Sequence, residues 1–400
     1  MQQPVLPPVT LTELGNLSDR ASTVIERLRE RVYAPGIAKS LDLRFNVRKA
    51  AEMVGRSDKL IRDAEADGRL PAPEKDADTG RRTGYSLAQV NTMREVFGTL
   101  PHRSPEDPAM VLAVQNFKGG VGKSTMVCHL AQFLALKGYR VGVIDCDSQA
   151  STTSMFGLNP DVDVDEDDDT LYPFFRHGGP SSLHYALRAT YWPGIALIPA
   201  NLGLYDAEYE FAARMARDSS FVLERLRDGI ESIKGNFDVI LMDPPPALGM
   251  LSLSVLRAAN ALVIPAPPNN IDFGSTAHFL KMMGATLEEL ARAGGARDYS
   301  FVKILATKMN DGKSAHVAIK RMMEAVFPMD MLSAVLKDSA EIDNAAANLS
   351  TVYELTGAGT RTETHKRCRA YLDAVNSEIE LLIRKTWPSH HSALRKEGLL

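Results

Sequence analysis

The sequence predicts an α/β fold with a doubly wound, mainly parallel sheet, preceded by an N-terminal helix and a small all-α region. From Met110 onward, short apolar runs alternate with helical patterns, which is typical of parallel strands covered by helices on both faces. The length of 400 residues exceeds what one hydrophobic core normally serves, so we expect more than one domain. The predicted strands are the runs VLAVQNF, RVGVID, IALIPA, FDVILMD, ALVIPAP and FVKILAT.

Composition and charge narrow the class of protein. With 44% hydrophobic and 24% charged residues and a formal net charge of −4, the chain has material for a packed core and no global basic footprint. No run approaches the roughly 20 apolar residues that span a bilayer, and the first ten residues lack the features of a secretion signal. Three scattered cysteines do not make a disulfide framework. We therefore expect a cytoplasmic protein without membrane contact, in which any nucleic-acid binding comes from local patches.

Residues 1–42 contain one predicted amphipathic helix, over residues 11–33. Its apolar residues recur at spacings of three and four, and no neighbour in sequence covers the stripe they form. The helix must therefore pack on a later domain or on a second copy of the chain. We favour the second copy, which makes residues 1–42 a dimerisation segment. The apolar positions are Leu17, Ala21, Val24, Ile25, Leu28 and Val32.

Residues 43–98 are predicted to form two short helices, a loop and a third helix. Gly55 stands where a helix-turn-helix makes its turn. The second helix carries Arg56, Ser57, Lys59 and Arg62 early, in the part that would meet base edges or phosphates in a major groove. The stretch resembles the winged helix of MerR-type proteins, and the resemblance implies DNA contacts at Arg56, Lys59, Arg62, Arg81 and Arg82. The alternative is a subdomain that only packs against the rest of the protein and does not bind DNA. Residues 99–109 are predicted to form a linker.

The domain predicted over residues 110–400 opens with a strand that leads into a phosphate-binding loop. Glycines let the backbone curl so that successive N–H groups meet one anion, and the N-terminus of the following helix adds its dipole. This is the P-loop arrangement, in which Lys123 reaches the β- and γ-phosphates of a nucleotide and the Ser124 hydroxyl binds Mg²⁺. The residues predicted to bind ATP or ADP here are Gly119, Gly120, Val121, Gly122, Lys123, Ser124 and Thr125.

Lys118 marks a departure from the usual P-loop pattern. The pattern has glycine where this chain has Phe117, and a second lysine precedes the glycine pair. A lysine at this mouth of the loop points away from its own phosphates, so it can neutralise charge on a nucleotide held by a facing subunit. We therefore predict a dimer that encloses two nucleotides, with Lys118 acting in catalysis across the interface. The alternative is a surface lysine without a role.

Three aspartates follow predicted strands and complete the predicted site. Open α/β sheets bind ligands at the C-terminal edge of their strands, so these carboxylates should face the phosphates. Asp243 is predicted to hold Mg²⁺ through water, Asp147 to orient the attacking water and Asp145 to help place the metal, although these roles could be exchanged. Met309 and Asn310 follow the last strand, where related nucleotide sites read the base; the alternative there is a loop that binds nothing.

Three motifs, in this order and at these distances, resemble those of the ParA family of partition ATPases: KGGVGKST, DCDSQAS and FDVILMDPPP. The preceding helices make the chain similar to the long, autoregulating class and to the RepA proteins of plasmid replication and partition operons. The resemblance implies that ATP and Mg²⁺ close a homodimer that binds chromosomal DNA without sequence preference, and that a ParB-type centromere-binding partner stimulates hydrolysis. It further implies that the ADP-bound or nucleotide-free dimer represses its own operon through the winged helix, and that the protein associates with the nucleoid.

Non-specific DNA binding requires a positive patch on the ATPase domain. The best candidate is a predicted basic helix face with Arg361, Lys366, Arg367 and Arg369. The alternative is a solvated basic helix whose cations pair with neighbouring acids. Lys313 and Lys337 are weaker candidates for the same role.

Other functions compete with this prediction. A nucleotide-sensing repressor with little ATP turnover would keep the loop but would not need the water-orienting Asp147. A MinD-like membrane ATPase would need a terminal amphipathic helix, which Pro388 interrupts. An iron–sulfur reductase component would need cysteines that two subunits can share, whereas Cys128 lies on the P-loop helix and Cys146 lies between two aspartates.

Overall fold

The computed structural model describes residues 9–32, 39–215, 219–292, 298–356, 360 and 362–400. The chain divides into two units, Met1–Ser40 and Leu41–Leu400. The first unit contains α1 (Leu11–Val32), which covers most of the predicted amphipathic helix. Of the predicted apolar positions, Leu17, Val24 and Ile25 are about half exposed, with 52%, 57% and 47% of their surface accessible. The side chains of Leu28 and Val32 lie outside the described residues.

Three helices begin the second unit: α2 (Val47–Val54), α3 (Asp58–Ala66) and α4 (Leu87–Val96). Asn46, Ser57 and Ser86 cap them, because each side chain accepts a hydrogen bond from a backbone N–H three residues further on. Gly55 makes the turn between α2 and α3 with a φ of 68°, a conformation that glycine adopts at little cost. The predicted helical segments of this region are therefore helices in the structure.

The loop between α3 and α4 folds back on itself. Lys75 and Arg82 form an antiparallel bridge within it, and Phe45 forms a second bridge with Tyr85, just before α4. The three helices and this loop enclose a small hydrophobic core, whose buried members are Ala50, Ala51, Val54, Ile61, Ala64, Leu70, Tyr85, Val90 and Met93.

A seven-stranded sheet forms the centre of the rest of the second unit. Its strands are β1 (Met110–Val114), β2 (Val141–Asp145), β3 (Arg188–Ala189), β4 (Ile195–Ile198), β5 (Val239–Asp243), β6 (Ala261–Ala266) and β7 (Phe301–Ala306). They lie in the order β3-β4-β2-β5-β1-β6-β7, and all neighbours are parallel except β3 and β4. The predicted mainly parallel sheet is confirmed; the two-residue edge strand β3 was not among the predicted runs.

Helices cover both faces of the sheet. They are α5 (Lys123–Lys137), α6 (Ser151–Met155), α7 (Tyr172–Phe175), α8 (Leu204–Met215), α9 (Ser219–Ile233), α10 (Met250–Ala258), α11 (Asn270–Leu290), α12 (Ser314–Val326), α13 (Ala340–Ala346), α14 (Glu363–Lys385) and α15 (His391–Lys396). Along β1, Leu112 packs in the core with α5 and α14, whereas its neighbour Val111 packs in the opposite core with α9 and α10. Burial on both sides explains why the strands read as continuous apolar runs. Within the described ranges, no helix is long and apolar enough to cross a bilayer.

Arg94 joins the helical region to the sheet domain. Its side chain is buried on α4, where Nη2 donates to the carbonyl of Leu136 at 2.6 Å and Nε to the carbonyl of Met53 at 3.3 Å. These carbonyls belong to the last turns of α5 and α2, where helix dipoles favour a cation. Burial lowers the pKa of Arg94 to about 10, which leaves the guanidinium charged at neutral pH. The buried guanidinium of Arg94 therefore caps the C-terminal ends of both α5 and α2.

Candidate functional site

A cleft of about 630 Å³ lies beside the loop between β1 and α5. All seven loop residues predicted to bind nucleotide, 119–125, line it. Gly120 and Gly122 have φ angles of 73° and 99°, which a residue with a side chain adopts only under strain. Gly122 also begins α5 without a side-chain cap, so the first N–H groups of the helix are left for an anion. The backbone of this loop is thus built to receive phosphate.

Lys123 is buried at the floor of the loop. Its Nζ donates to the carbonyl of Lys118 at 3.4 Å, and only 7% of the residue is exposed. Burial lowers its pKa, while the charges of Asp243 and Asp147 act in the opposite direction. An ammonium in this position can exchange its weak contact with a backbone carbonyl for a strong one with phosphate oxygens.

Two buried aspartates end neighbouring strands and lie side by side. Asp145 and Asp243 are direct partners in the register of β2 and β5. Adjacent threonines of α6 hold them: Thr152 Oγ1 donates to Asp243 Oδ2 at 2.7 Å, and Thr153 Oγ1 donates to Asp145 Oδ2 at 2.7 Å. Sequence analysis missed both threonines, because nothing in the local pattern distinguishes them from other residues of a short helix.

Asp145 forms several hydrogen bonds within the protein, and its predicted part in placing a metal stays a prediction. Its Oδ2 also accepts the Thr153 N–H at 2.8 Å, and its Oδ1 accepts the Asp147 N–H at 3.1 Å. Both oxygens are therefore engaged by protein donors. Burial and the neighbouring Asp243 raise its pKa well above the ordinary value. Asp145 shapes the segment that carries Asp147, and Asp147 lines the cleft as predicted for the water-orienting residue.

The carboxylate of Asp243 offers one oxygen to a cation. Its Oδ1 is buried and has no hydrogen-bond partner among the described residues. Burial raises its pKa to about 6, against the lowering effects of the hydroxyls of Ser124 and Thr152 and the charge of Lys123. An orphaned carboxylate oxygen beside a serine hydroxyl is an oxygen-only donor set, which Mg²⁺ prefers. The residues present therefore fit a magnesium ion, held directly or through water.

The part of the cleft lined by Thr307 and Lys308 does not include the two residues predicted to read the base. Thr307 and Lys308 line the cleft, and Thr307 Oγ1 donates to the carbonyl of Val121 at 3.0 Å. Met309, in contrast, is buried with 3% exposure, and Asn310 Oδ1 accepts the N–H of Gly312, so neither predicted base-reading side chain is among those that line the cleft. The remaining residues that line this part of the cleft are Leu336, Lys337, Asp338, Ser339, Ile342, Asp343, Ala346 and Leu349.

Two buried polar residues of α5 hold the segment that follows these lining residues. His129 Nδ1 donates to the Thr125 carbonyl at 2.7 Å, and its Nε2 accepts the Val352 N–H at 3.2 Å, an arrangement that requires a neutral ring. Burial lowers the pKa of His129 to about 4. One turn later, Gln132 Nε2 donates to Glu354 at 2.9 Å. Hydrogen bonds thus join α5 to Val352 and Glu354. Sequence analysis had no signal for this contact.

Lys118 forms an ion pair within its own chain. Its Nζ forms an ion pair with Asp272 in the first turn of α11. The side chains are 31% and 20% exposed, so the pair lies at the surface, at the mouth of the loop. The prediction that Lys118 reaches a facing subunit remains a prediction.

The predicted DNA contacts of the helical region have different surroundings. Arg56 donates to the carbonyls of Gly55 and Phe97, each at 3.0 Å. Ser57 caps α3, and Arg82 Nη2 pairs with Glu65 at 2.6 Å. Lys59, Arg62 and Arg81 are exposed. Arg44, which was not among the predicted contacts, lines a groove of about 830 Å³ together with Arg62 and Arg82.

The predicted basic face of α14 is partly neutralised. Arg361 lies outside the described residues. Lys366 pairs with Glu363 at 2.7 Å, and Arg369 lies over the ring of Tyr353, 5.3 Å from its centroid. Arg367 is exposed. Of the weaker candidates, Lys337 pairs with Asp311 and Lys313 is exposed.

Comparisons with known proteins agree with this fold. Residues 109–291 match the family model described as an AAA domain. A protein named as a replication protein A in Rhizobium rhizogenes is 30% identical over 382 residues, which cover 92% of this chain and 94% of the relative. SopA of Escherichia coli K12 is 33% identical over 362 residues, which cover 88% of this chain and 91% of SopA.

Two solved structures share the fold. One described as a partition protein is 18% identical, with a TM-score of 0.62, and the match covers 92% of this chain and 98% of that one. An ATP complex of a McdA variant from Cyanothece is 19% identical, with a TM-score of 0.56, and the match covers 68% of this chain and 96% of that one. Because the first alignment spans nearly the whole chain, the similarity extends beyond the P-loop.

Proposed function

The chain belongs to the ParA-type plasmid partition ATPases, and on that premise we propose a cycle for it. An ATP-bound homodimer binds DNA without sequence preference, a ParB-type centromere-binding partner stimulates hydrolysis, and the ADP-bound or nucleotide-free form represses its own operon. The observation that carries the enzymatic part is that Lys123 and Asp147 line one cleft, while the buried carboxylate of Asp243, with one oxygen unpaired among the described residues, acts electrostatically on Lys123. In this cycle the protein lies in the cytoplasm, associates with the nucleoid and segregates DNA.

In this proposal each residue of the cleft has one task. The N–H groups of residues 119–125 and the ammonium of Lys123 bind the β- and γ-phosphates. Ser124 and Asp243 would hold Mg²⁺, directly or through water, and the ion would neutralise charge on the phosphates. Asp147 orients a water molecule for attack on the γ-phosphate and accepts its proton. Asp145, through its bonds to Thr153 and to the N–H of Asp147, keeps that carboxylate in place.

Dimerisation and DNA binding extend the proposal beyond one cleft. Lys118 of each protomer would reach the nucleotide of the other, and the apolar stripe of α1 would pair with a second copy. Operator recognition would use residues 43–98, where Lys59, Arg62 and Arg81 are exposed and Arg44 adds a further cation. Non-specific binding would use residues 361–369, in which Arg367 is exposed.

The first test measures binding to two DNAs, a random fragment and the region upstream of the gene itself. Each is tested with ADP, with a non-hydrolysable ATP analogue and without nucleotide. We expect preference for the upstream DNA with ADP and binding to both DNAs with the analogue. Preference for the upstream DNA under every condition would instead identify a nucleotide-sensing repressor, the alternative to a partition ATPase.

Variants assign the steps of the cycle. We expect Lys123→Ala to lose ATP binding and Lys118→Ala to bind ATP but to lose the ATP-dependent dimer and DNA-stimulated turnover. Asp147→Asn should keep ATP binding and lose turnover by about a hundredfold or more, as expected when a positioned base is removed. Lys320→Ala on α12, which breaks the Lys320–Glu324 ion pair away from the cleft lining, serves as the control. ATP-driven DNA binding by both lysine variants at the level of the unmodified protein would contradict these assignments.

A further inference from the structure

The ion pair between Lys118 and Asp272 is oriented by the cap of α11. Asn269 begins the helix, and its Oδ1 accepts the Asp272 N–H at 2.9 Å. The Nδ2 of Asn269 in turn donates to Asp272 Oδ2 at 2.6 Å. With one carboxylate oxygen engaged by the cap, the other, Oδ1, is directed to the Lys118 ammonium. Among the described residues, Asp272 is the carboxylate that pairs with Lys118.

A second contact fastens the same loop to the same helix. Asn116 is fully buried, and its Oδ1 accepts the Lys118 N–H at 3.0 Å. Its Nδ2 donates to the Pro265 carbonyl at 2.8 Å and to Thr276 Oγ1 at 3.1 Å. Thr276 lies one helical turn after Asp272, so both contacts come from one face of α11. The side chain of Lys118 is therefore held directly by the first turn of α11, and its main chain is linked to the second turn through Asn116.

We propose that Asp272 is a latch that keeps Lys118 within its own subunit until a partner's nucleotide replaces it. The inference rests on the proposed sandwich dimer, in which Lys118 must reach the other protomer. In the latched position the ammonium of Lys118 is already neutralised, so this lysine is not available to a facing subunit. The phosphates of bound ATP carry more negative charge than one carboxylate and accept charge-assisted hydrogen bonds more strongly. Lys118 is therefore expected to exchange Asp272 for the phosphates of a nucleotide-loaded partner.

The exposure of the pair makes the latch reversible. With 31% and 20% of the two side chains accessible, water screens the attraction, so the pair is weak enough to open. Asp272 acts through Lys118 and touches no reacting atom, so it is a positioning residue. Each dimer contains two Lys118–Asp272 pairs, and both open when it forms. The free energy of opening one pair therefore counts twice in the dimerisation equilibrium.

The test uses Asp272→Asn in the full-length protein. Asparagine removes the negative charge, and its amide oxygen can still accept the hydrogen bond from Asn269, so the helix cap is preserved. Dimer formation is measured by analytical ultracentrifugation with a non-hydrolysable ATP analogue and Mg²⁺. We expect half of the variant to be dimeric at about fivefold lower protein concentration than the unmodified chain, which is what two partly exposed ion pairs allow. Asp272→Glu, which restores the charge, should return the midpoint towards that of the unmodified chain.

Control variants separate the latch from general effects of charge and from the dimer itself. Glu324→Gln also removes one carboxylate from a lysine pair, on α12, and should leave the midpoint unchanged. An unchanged or higher midpoint for Asp272→Asn would overturn the latch while leaving the sandwich dimer intact. Dimerisation that persists in Lys118→Ala would show that the dimer does not use this lysine, which also overturns the latch. No dimer in the unmodified chain at any concentration of the analogue would overturn the proposed dimer and the latch together.

Discussion

Replacing Thr153 by valine tests whether the buried hydroxyl network supports the nucleotide site. Thr153 Oγ1 donates to Asp145 Oδ2 at 2.7 Å and accepts the N–H of Ala200 at 2.8 Å, and the residue has no accessible surface. Valine has nearly the same shape, so the change removes the hydrogen bonds without opening a cavity. The hydroxyl thus joins α6, the end of β2 and the segment after β4 at one atom.

The expected loss follows from these two bonds. The hydrogen bond from Thr153 Oγ1 to Asp145 Oδ2 contributes about 1 kcal/mol. The N–H of Ala200 would be left buried and unsatisfied, which costs about 1–3 kcal/mol. We therefore expect Thr153→Val to lower the free energy of unfolding by about 3 kcal/mol. Asp147 should also be less well placed, because Asp145 accepts its N–H, so ATP turnover should fall as well.

The assay is urea unfolding of the nucleotide-free protein, followed by circular dichroism. Thr92→Val on α4 is the matched control: its hydroxyl donates to the Ala88 carbonyl at 3.2 Å on an exposed helix face, so we expect a change within about 0.5 kcal/mol. The double variant Thr153→Val with Asp145→Asn should lose less than the sum of the single changes, because the two residues share one bond. A loss below about 1 kcal/mol, with unchanged turnover, would refute the reasoning.

Further predictions concern pH, packing and the contact between regions. Burial lowers the pKa of His129 from 6.5 to about 4, so the unfolded chain binds the proton more readily than the folded chain. The free energy of unfolding should therefore be unaffected above pH 6.5 and fall by about 3 kcal/mol towards pH 4. In His129→Gln, the pH dependence of the urea midpoint should become weaker in that window. In Gly229→Ala the new Cβ would lie 2.7 Å from Phe174, so thermal unfolding should show a loss of about 1–3 kcal/mol unless the ring shifts freely. Arg94→Ala leaves a cavity and orphans the Leu136 carbonyl, so urea unfolding should show a loss of about 3 kcal/mol, and a neutral result would mean that the buried cation does not fasten α4 to α5.

Local patterns were sufficient for the elements and for the phosphate loop. Six of the seven strands appear as apolar runs because each is buried on both faces, so β1 carries its signal in consecutive residues. The strand β3 has two residues at the sheet edge and no such run. The loop of residues 119–125 is contiguous, and its glycines are required by backbone angles that sequence spacing already indicates. These features depend on neighbours in the chain.

The function of individual side chains in the cleft depends on residues far away in sequence. Asp145 follows a strand just as Asp243 does, and sequence analysis placed both beside the metal. Thr153 and the Asp147 N–H occupy both oxygens of Asp145, whereas one oxygen of Asp243 stays unpaired. Met309 and Asn310, which sequence analysis expected to read the base, are not among the residues that line the cleft, whereas Lys308 and residues between 336 and 349 are brought to it by the fold.

The sequence by itself determined that this chain is a P-loop ATPase of the ParA type with a parallel sheet and helices ahead of it. Those conclusions rest on motifs and periodicities in which the interacting groups are close along the chain. Only the tertiary structure decided which carboxylate is left open to a cation, what holds α5 to its surroundings, and where Lys118 rests. Asp272 lies more than 150 residues after Lys118, and no local pattern encodes a contact that exists only once β6 and α11 have packed beside the loop.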